Sequence, residues 1–198
     1  MNYRNQDIID SVEKVSKEIL AESRHNRHRD YFFPMLIDRM NYKKAVEIGV
    51  DKGEFSLHLL SKSNLDKLYC IDSWLDNFGS DYKPDFYDKN GNNRMAETKR
   101  NLELYVINER VELIKSNSFD ASVKFQSDEL DFVYIDGDHS LEGIFVDLYS
   151  WFPKVKKGGV WPFTISKMDR NRESPIGLVI SFLITFKLLL NIFVSDMV

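Results

Sequence analysis

With 198 residues, 43% of them hydrophobic and 29% charged, the chain has the size and composition of one soluble globular domain with a substantial core. Its net charge of −4 leaves no electrostatic footprint for non-specific nucleic-acid binding. One cysteine, Cys70, excludes an internal disulfide framework and suits a reducing compartment.

Residues 6–22 set Ile8, Ile9, Val12, Val15, Ile19 and Leu20 at helical spacing between charges, which predicts an amphipathic helix packed on the domain. The run Arg24-His25-Asn26-Arg27-His28-Arg29 follows. It reads as a solvated helix end, with contact to a phosphate or an anionic acceptor as the alternative. A short helix is expected over Tyr31–Met40. The pattern then alternates: strand Lys44–Gly49, helix Glu54–Ser61, strand Lys67–Asp72, helix Arg94–Val106, strand Val111–Lys115, strand Leu130–Asp136, helix Leu141–Phe152, and a fifth strand introduced by Gly158-Gly159-Val160. Such alternation implies α/β architecture with a parallel sheet and right-handed crossovers. Residues 75–92 are polar with no clear period, and a loop of that length is usually a lid or a binding insertion. Its aromatics, with Trp74 beside them, make it the expected wall of an acceptor pocket.

Three apolar runs end in acids or glycine turns: Val46-Glu47-Ile48-Gly49 through Gly53, Leu68-Tyr69-Cys70-Ile71-Asp72, and Phe132-Val133-Tyr134-Ile135-Asp136. Open α/β sheets bind ligands at the carboxyl ends of such strands. The glycines allow close backbone approach, and a following helix offers unpaired N–H groups. A dinucleotide fingerprint would need glycine at 51 and 54, where Asp51 and Glu54 stand, so an NAD site fails its spacing. An acidic turn suits a ligand with a cationic or zwitterionic tail. Asp72, at a strand tip, can accept both hydroxyls of a ribose. Asp136, Asp138 and His139 form a cluster suited to proton transfer, with a structural histidine as the alternative for His139.

The string Ile135-Asp136-Gly137-Asp138-His139-Ser140-Leu141-Glu142-Gly143, followed by Asp147-Leu148 and Gly158-Gly159, resembles class I S-adenosylmethionine-dependent methyltransferases. Within them it is similar to bacterial sugar and small-molecule O-methyltransferases with an IDGDHSYEG-like strand four. The resemblance runs from about residue 30 to residue 160. It implies a Rossmann-like class I methyltransferase fold: a mostly parallel central sheet with helices on both faces and an atypical or incomplete carboxyl-terminal part. It divides the chain into a helical segment (1–40), a cofactor-binding core (41–163) and a tail (164–198). By the same resemblance Glu47, Gly49 and Gly53 hold the methionine end of S-adenosylmethionine, with Ser56 opening the first helix of the core. Asp72 binds the ribose with Ser73 and Trp74 beside it, and Ser116, Asn117 and Ser118 contact adenine. Asp136 stands next to the reacting methyl. In metal-dependent members such an aspartate is a ligand for Mg2+, completed by a His-Asp pair after strand five.

That pair is missing here. Trp161-Pro162-Phe163-Thr164 follows strand five, no histidine occurs after His139, and metal-dependent catalysis is in doubt. Read one base earlier, codons for Trp161 to Asp169 can encode a string containing His-Asp-Phe, which raises the reading of a frame-shifted tail. Residues 176–194 are largely apolar and read as a buried helix and a late strand in preference to a membrane span, since Lys187 near the middle would be costly in lipid. Met1–Asp7 carries no signal-peptide hydrophobic stretch, so a cytoplasmic location is expected. The leading expectation is O-methylation of a small hydroxylated acceptor such as a sugar or glycoside. No nucleic-acid partner is expected. The alternatives are a catalytically impaired remnant that binds cofactor only, and a membrane-tethered protein.

Overall fold

The computed structural model describes residues 4–23, 28–74, 93–138 and 140–162. The predicted loop 75–92, most of the basic run, His139 and the tail from residue 163 lie outside the described residues. The elements in chain order are α1 (Arg4–Glu22), α2 (Arg29–Arg39), β1 (Lys44–Ile48), α3 (Glu54–Lys62), β2 (Lys67–Asp72), α4 (Asn93–Asn101), α5 (Glu103–Ile107), β3 (Val111–Lys115), α6 (Ser118–Ser122), β4 (Leu130–Ile135), α7 (Leu141–Trp151), a 3-10 turn (Phe152–Lys154) and β5 (Val155–Val160).

The strands form one parallel sheet in the order β3-β2-β1-β4-β5. Parallel strands covered on both faces read as continuous apolar runs, and β1 does so: Ala45, Val46, Glu47 and Ile48 are all buried. Successive side chains alternate between faces. Ala45, Leu68, Cys70, Phe132 and Tyr134 pack with α1, α2 and α3, whereas Val46, Ile48, Ile71, Ile114, Val133 and Ile135 pack against α6 and α7 around Trp151. The amphipathic stripe of α1 supplies Val12 and Ile19 to the first of these layers, as its spacing predicts.

Several predicted elements differ from the observed ones by a residue or two at an end, and three departures matter for the packing. α2 begins two residues earlier, at Arg29, because the His28 ring accepts the backbone N–H of Asp30 and caps it. The single helix expected over Arg94–Val106 breaks at Leu102, whose fully buried side chain lies under Gly53. β5 starts at Val155, ahead of the glycine pair that marked it.

Order reverses between β1 and β4, and there the strand tips touch backbone to backbone. The Asp136 N–H donates to the Ile48 carbonyl at 2.8 Å, and the Gly49 N–H to that of Ile71 at 2.9 Å. Gly49 has φ 85°, and a Cβ placed on it would lie 2.2 Å from the Asp136 carbonyl oxygen. Gly137, one residue beyond, has ordinary room: the nearest atom to an added Cβ is Ile48 Cγ2 at 3.4 Å. Gly49→Ala is therefore expected to cost about 3 kcal/mol or more, combining left-handed strain with the clash. Gly137→Ala should stay within about 1 kcal/mol. Urea unfolding midpoints of the two variants check this; equal midpoints would contradict the close approach.

Candidate functional site

The β1–α3 turn is built from three residues of positive φ, Gly49 (85°), Asp51 (51°) and Gly53 (78°). For Asp51, a non-glycine residue, that conformation is uncommon and must be held by its surroundings. The holding groups are specific. The Asp72 carboxylate, at the tip of β2, accepts the N–H of Asp51 at 2.9 Å through Oδ2 and the N–H of Trp74 at 2.7 Å through Oδ1. The Trp74 indole N–H donates to the Asp51 carbonyl at 2.9 Å, and the Thr98 hydroxyl lies 2.7 Å from the same oxygen. Arg94 pairs with the Asp51 carboxylate at 2.7 Å, and Asn101 donates to the Lys52 carbonyl at 3.0 Å. α4 and the β2 tip thus clamp the turn from two sides. Trp74, itself at φ 41°, belongs to this clamp and is buried; Ser73 lies beside it, half-buried.

Beneath the turn, Glu47 is 2% exposed on the α3 side of β1. The Ser56 hydroxyl donates to its Oε2, and the Cys70 thiol lies 3.4 Å from the Ser56 oxygen. Burial pushes the Glu47 carboxyl up to about 8, against the opposing pull of Ser56 and the Arg29 charge. Burial likewise pushes the Cys70 thiol up. Ser56 therefore serves the buried carboxyl, in a hydroxyl–carboxyl pair that a tally of strand-tip residues does not show.

The residue missed in the sequence is Arg29. It does not sit on a solvated helix end. One turn ahead of the buried Phe33 on α2, it reaches the β4 tip, where its Nη1 donates to the Tyr134 hydroxyl at 3.0 Å and to Asp136 Oδ2. Its guanidinium carbon lies 4.9 Å from the Phe55 ring centre and 5.6 Å from that of Tyr134. Phe33, Phe55 and Tyr134 stack on one another beneath it, with ring centres 4.6 to 6.2 Å apart. Burial opposes its charge, but Tyr134 and Asp136 more than offset this and hold it firmly protonated. The available signal was the four-residue spacing of Arg29 and Phe33, which puts them on one helical face.

This pairing bears on the expected Mg2+ ligand. Among the described residues no group of three or more His, Cys, Asp or Glu side chains could hold a metal ion, and Asp136 Oδ2 already accepts from a guanidinium. The described residues do not fit a divalent cation at Asp136.

Asp138 turns away from Asp136 towards α7. Its Oδ1 accepts the Ser140 N–H at 2.8 Å, and its carboxyl lies against Gly143. Ser140 caps α7 by accepting the Gly143 N–H at 3.0 Å. Beyond β3, the Ser116 N–H donates to the Asp72 carbonyl at 3.0 Å, so that segment lies beside the tip of β2. Asn117 caps α6 by accepting the Asp120 N–H at 2.8 Å. The Ser118 hydroxyl accepts the Trp151 indole N–H at 2.8 Å and bonds to Asp147. Burial raises the Asp147 carboxyl to about 6.

Residues 46–163 match the methyltransferase-domain family, more than half of the chain. The chain belongs to this family. It is a methyltransferase of the S-adenosylmethionine-dependent class. No curated protein matches it. Among solved structures it is similar to a candidate caffeoyl-CoA O-methyltransferase from Staphylococcus aureus, at 16% identity and TM-score 0.53, covering 96% of this chain and 89% of that one. A methyltransferase of Podospora anserina with bound S-adenosylhomocysteine is 11% identical, with TM-score 0.51, covering 92% of this chain and 79% of that one. At such identities the likeness is one of fold, the Rossmann-like methyltransferase sheet. The chain spans about half, 53%, of a precorrin-8W decarboxylase of Methanobacterium thermoautotrophicum, 20% identical over 62% of this chain, with TM-score 0.45.

A carboxyl whose pKa is raised on folding favours the folded state fully below its unfolded value, near 4.5 for Glu47, and that contribution is lost as pH rises through its folded value, about 8. Glu47→Gln keeps the shape and removes the titration. Between pH 5 and pH 8 wild type should lose stability relative to this variant by on the order of 3 kcal/mol. Urea midpoints at the two pH values measure it. A constant difference would mean that Glu47 does not titrate in this window.

Proposed function

We propose that the methyltransferase acts at oxygen, on a small hydroxylated acceptor such as a sugar or glycoside. The single observation that carries the cofactor half of this reading is Asp72: a carboxylate fixed through both oxygens at a strand tip, beside a glycine turn and next to the point where strand order reverses. Each carboxylate oxygen accepts more than one hydrogen bond, so the two N–H donors already present leave acceptor capacity for ribose hydroxyls. Gly49, Gly53 and Glu47 would lie along the methionine end, with Ser73 and Trp74 flanking the ribose and Ser116, Asn117 and Ser118 towards adenine.

When bound, S-adenosylmethionine supplies an activated methyl: the acceptor oxygen–carbon bond forms as the sulfur–carbon bond breaks, and the sulfonium becomes a neutral thioether. The chain's own residues then have two tasks, positioning and removal of the acceptor proton. Asp136, bonded through Oδ2 to Arg29, can accept the hydrogen bond of the acceptor hydroxyl, aim its lone pair and receive the proton. Asp138 and His139 stand next in sequence, and Asp138 steadies the start of α7. The sugar or glycoside class rests on the strand-four string described above.

A second reading, a remnant that binds cofactor only, is favoured by the lack of a His-Asp pair after Gly159. Two measurements separate them. Calorimetric titration of S-adenosylhomocysteine should show binding that Asp72→Ala weakens about tenfold or more, the usual loss for hydrogen bonds to a charged group. Methyl transfer to a panel of sugars and phenols, followed by mass spectrometry, should proceed equally with Mg2+ and with chelator. Binding without transfer to any acceptor would favour the remnant, and transfer that needs Mg2+ would overturn the metal-free account of Asp136.

A further inference from the structure

We propose that Arg29 is a carboxylate receptor built into the site, and that its ligand is the α-carboxylate at the methionine end of the donor. The inference rests on the cofactor placement above and deepens it.

Position comes first. Arg29 bonds to Asp136, whose backbone carbonyl touches Gly49, and its guanidinium lies over Phe55 in the first turn of α3. The group therefore stands at the mouth of the glycine turn, between the β1 and β4 tips. Its side chain is 33% exposed, so a ligand can reach it.

Charge comes next. Asp51, Asp72 and Asp136 gather at three neighbouring strand ends, and Arg94 is paired with Asp51 on the far side of the turn. An acidic turn suits the ammonium and sulfonium of the donor but repels its carboxylate. Arg29 brings a positive charge to the β1–β4 side of the turn and answers that repulsion.

Preorganisation completes the argument. Nη1 serves Tyr134 and Asp136, and two aromatic rings fix the guanidinium plane. A guanidinium carries five N–H groups in a rigid fork, and Nε lies 3.7 Å from Asp30, beyond hydrogen-bond length. The fork can therefore grip a carboxylate with little loss of side-chain freedom. An acidic acceptor would offer the same chemistry, so the test must tell donor from acceptor.

The experiment is calorimetric titration of the full chain with S-adenosylmethionine and with its decarboxylated analogue, which keeps the sulfonium and the amine. Wild type should bind the analogue about 10- to 100-fold more weakly, the worth of a charge-assisted hydrogen-bonded pair. Arg29→Met should weaken S-adenosylmethionine by a similar factor, leave the analogue unchanged, and so erase the preference. Arg29→Lys should keep part of it. The receptor is overturned if wild type binds both donors alike, a result that needs no variant to fold and would leave an acceptor's acid as the ligand. It is overturned equally if Arg29→Met weakens both by one factor, which marks a purely structural arginine. Failure of wild type to bind either donor would remove the cofactor reading itself, and this inference with it.

Discussion

Everything at the candidate site depends on the contact between the tips of β1 and β4. Parallel neighbours whose following chains depart to opposite faces leave a crevice between them, and here the crevice closes at its base to a backbone-on-backbone contact of Gly49 with Asp136. No side chain fits at that point. The contact sets the height of the glycine turn and the direction in which Asp136 leaves the sheet. Through Asp136 it also sets the reach of Arg29 from an element more than a hundred residues away in sequence.

The site concentrates acids, and each is stabilised differently. Asp72 is met by two backbone N–H groups of the strained segments it organises. Asp51 and Asp136 have arginine partners brought in from helices on the α4 and α2 sides. Glu47, which bonds to no cation among the described residues, relies on protonation and a serine. Without these separate solutions the carboxylates would repel one another at the strand ends, and the turn would have no reason to hold Asp51 at positive φ.

The parallel sheet was legible because each strand is a short apolar run closed by an acid or glycine, and β2 and β3 have the very bounds their patterns predict. Asp72 and the Gly49–Gly53 turn were legible for the same reason: strand ends are local. Arg29 was hidden because its partners, Asp136, Tyr134 and Phe55, come from β4 and α3, and charge alone places an arginine in solvent. The buried state of Glu47 was hidden too, since only tertiary packing reveals that the Ser56 hydroxyl meets its carboxyl. α6 escaped notice because five residues are too few to show a period.

The Glu47–Ser56–Cys70 chain has a consequence for handling the protein. Cys70 is the one thiol in the sequence, it is fully buried on a central strand, and burial disfavours its reactive thiolate. A thiol-reactive probe can label the chain only when β1, β2 and α3 part. The rate of that labelling is therefore a built-in clock for opening of the sheet, read at a single atom and requiring no engineered reporter.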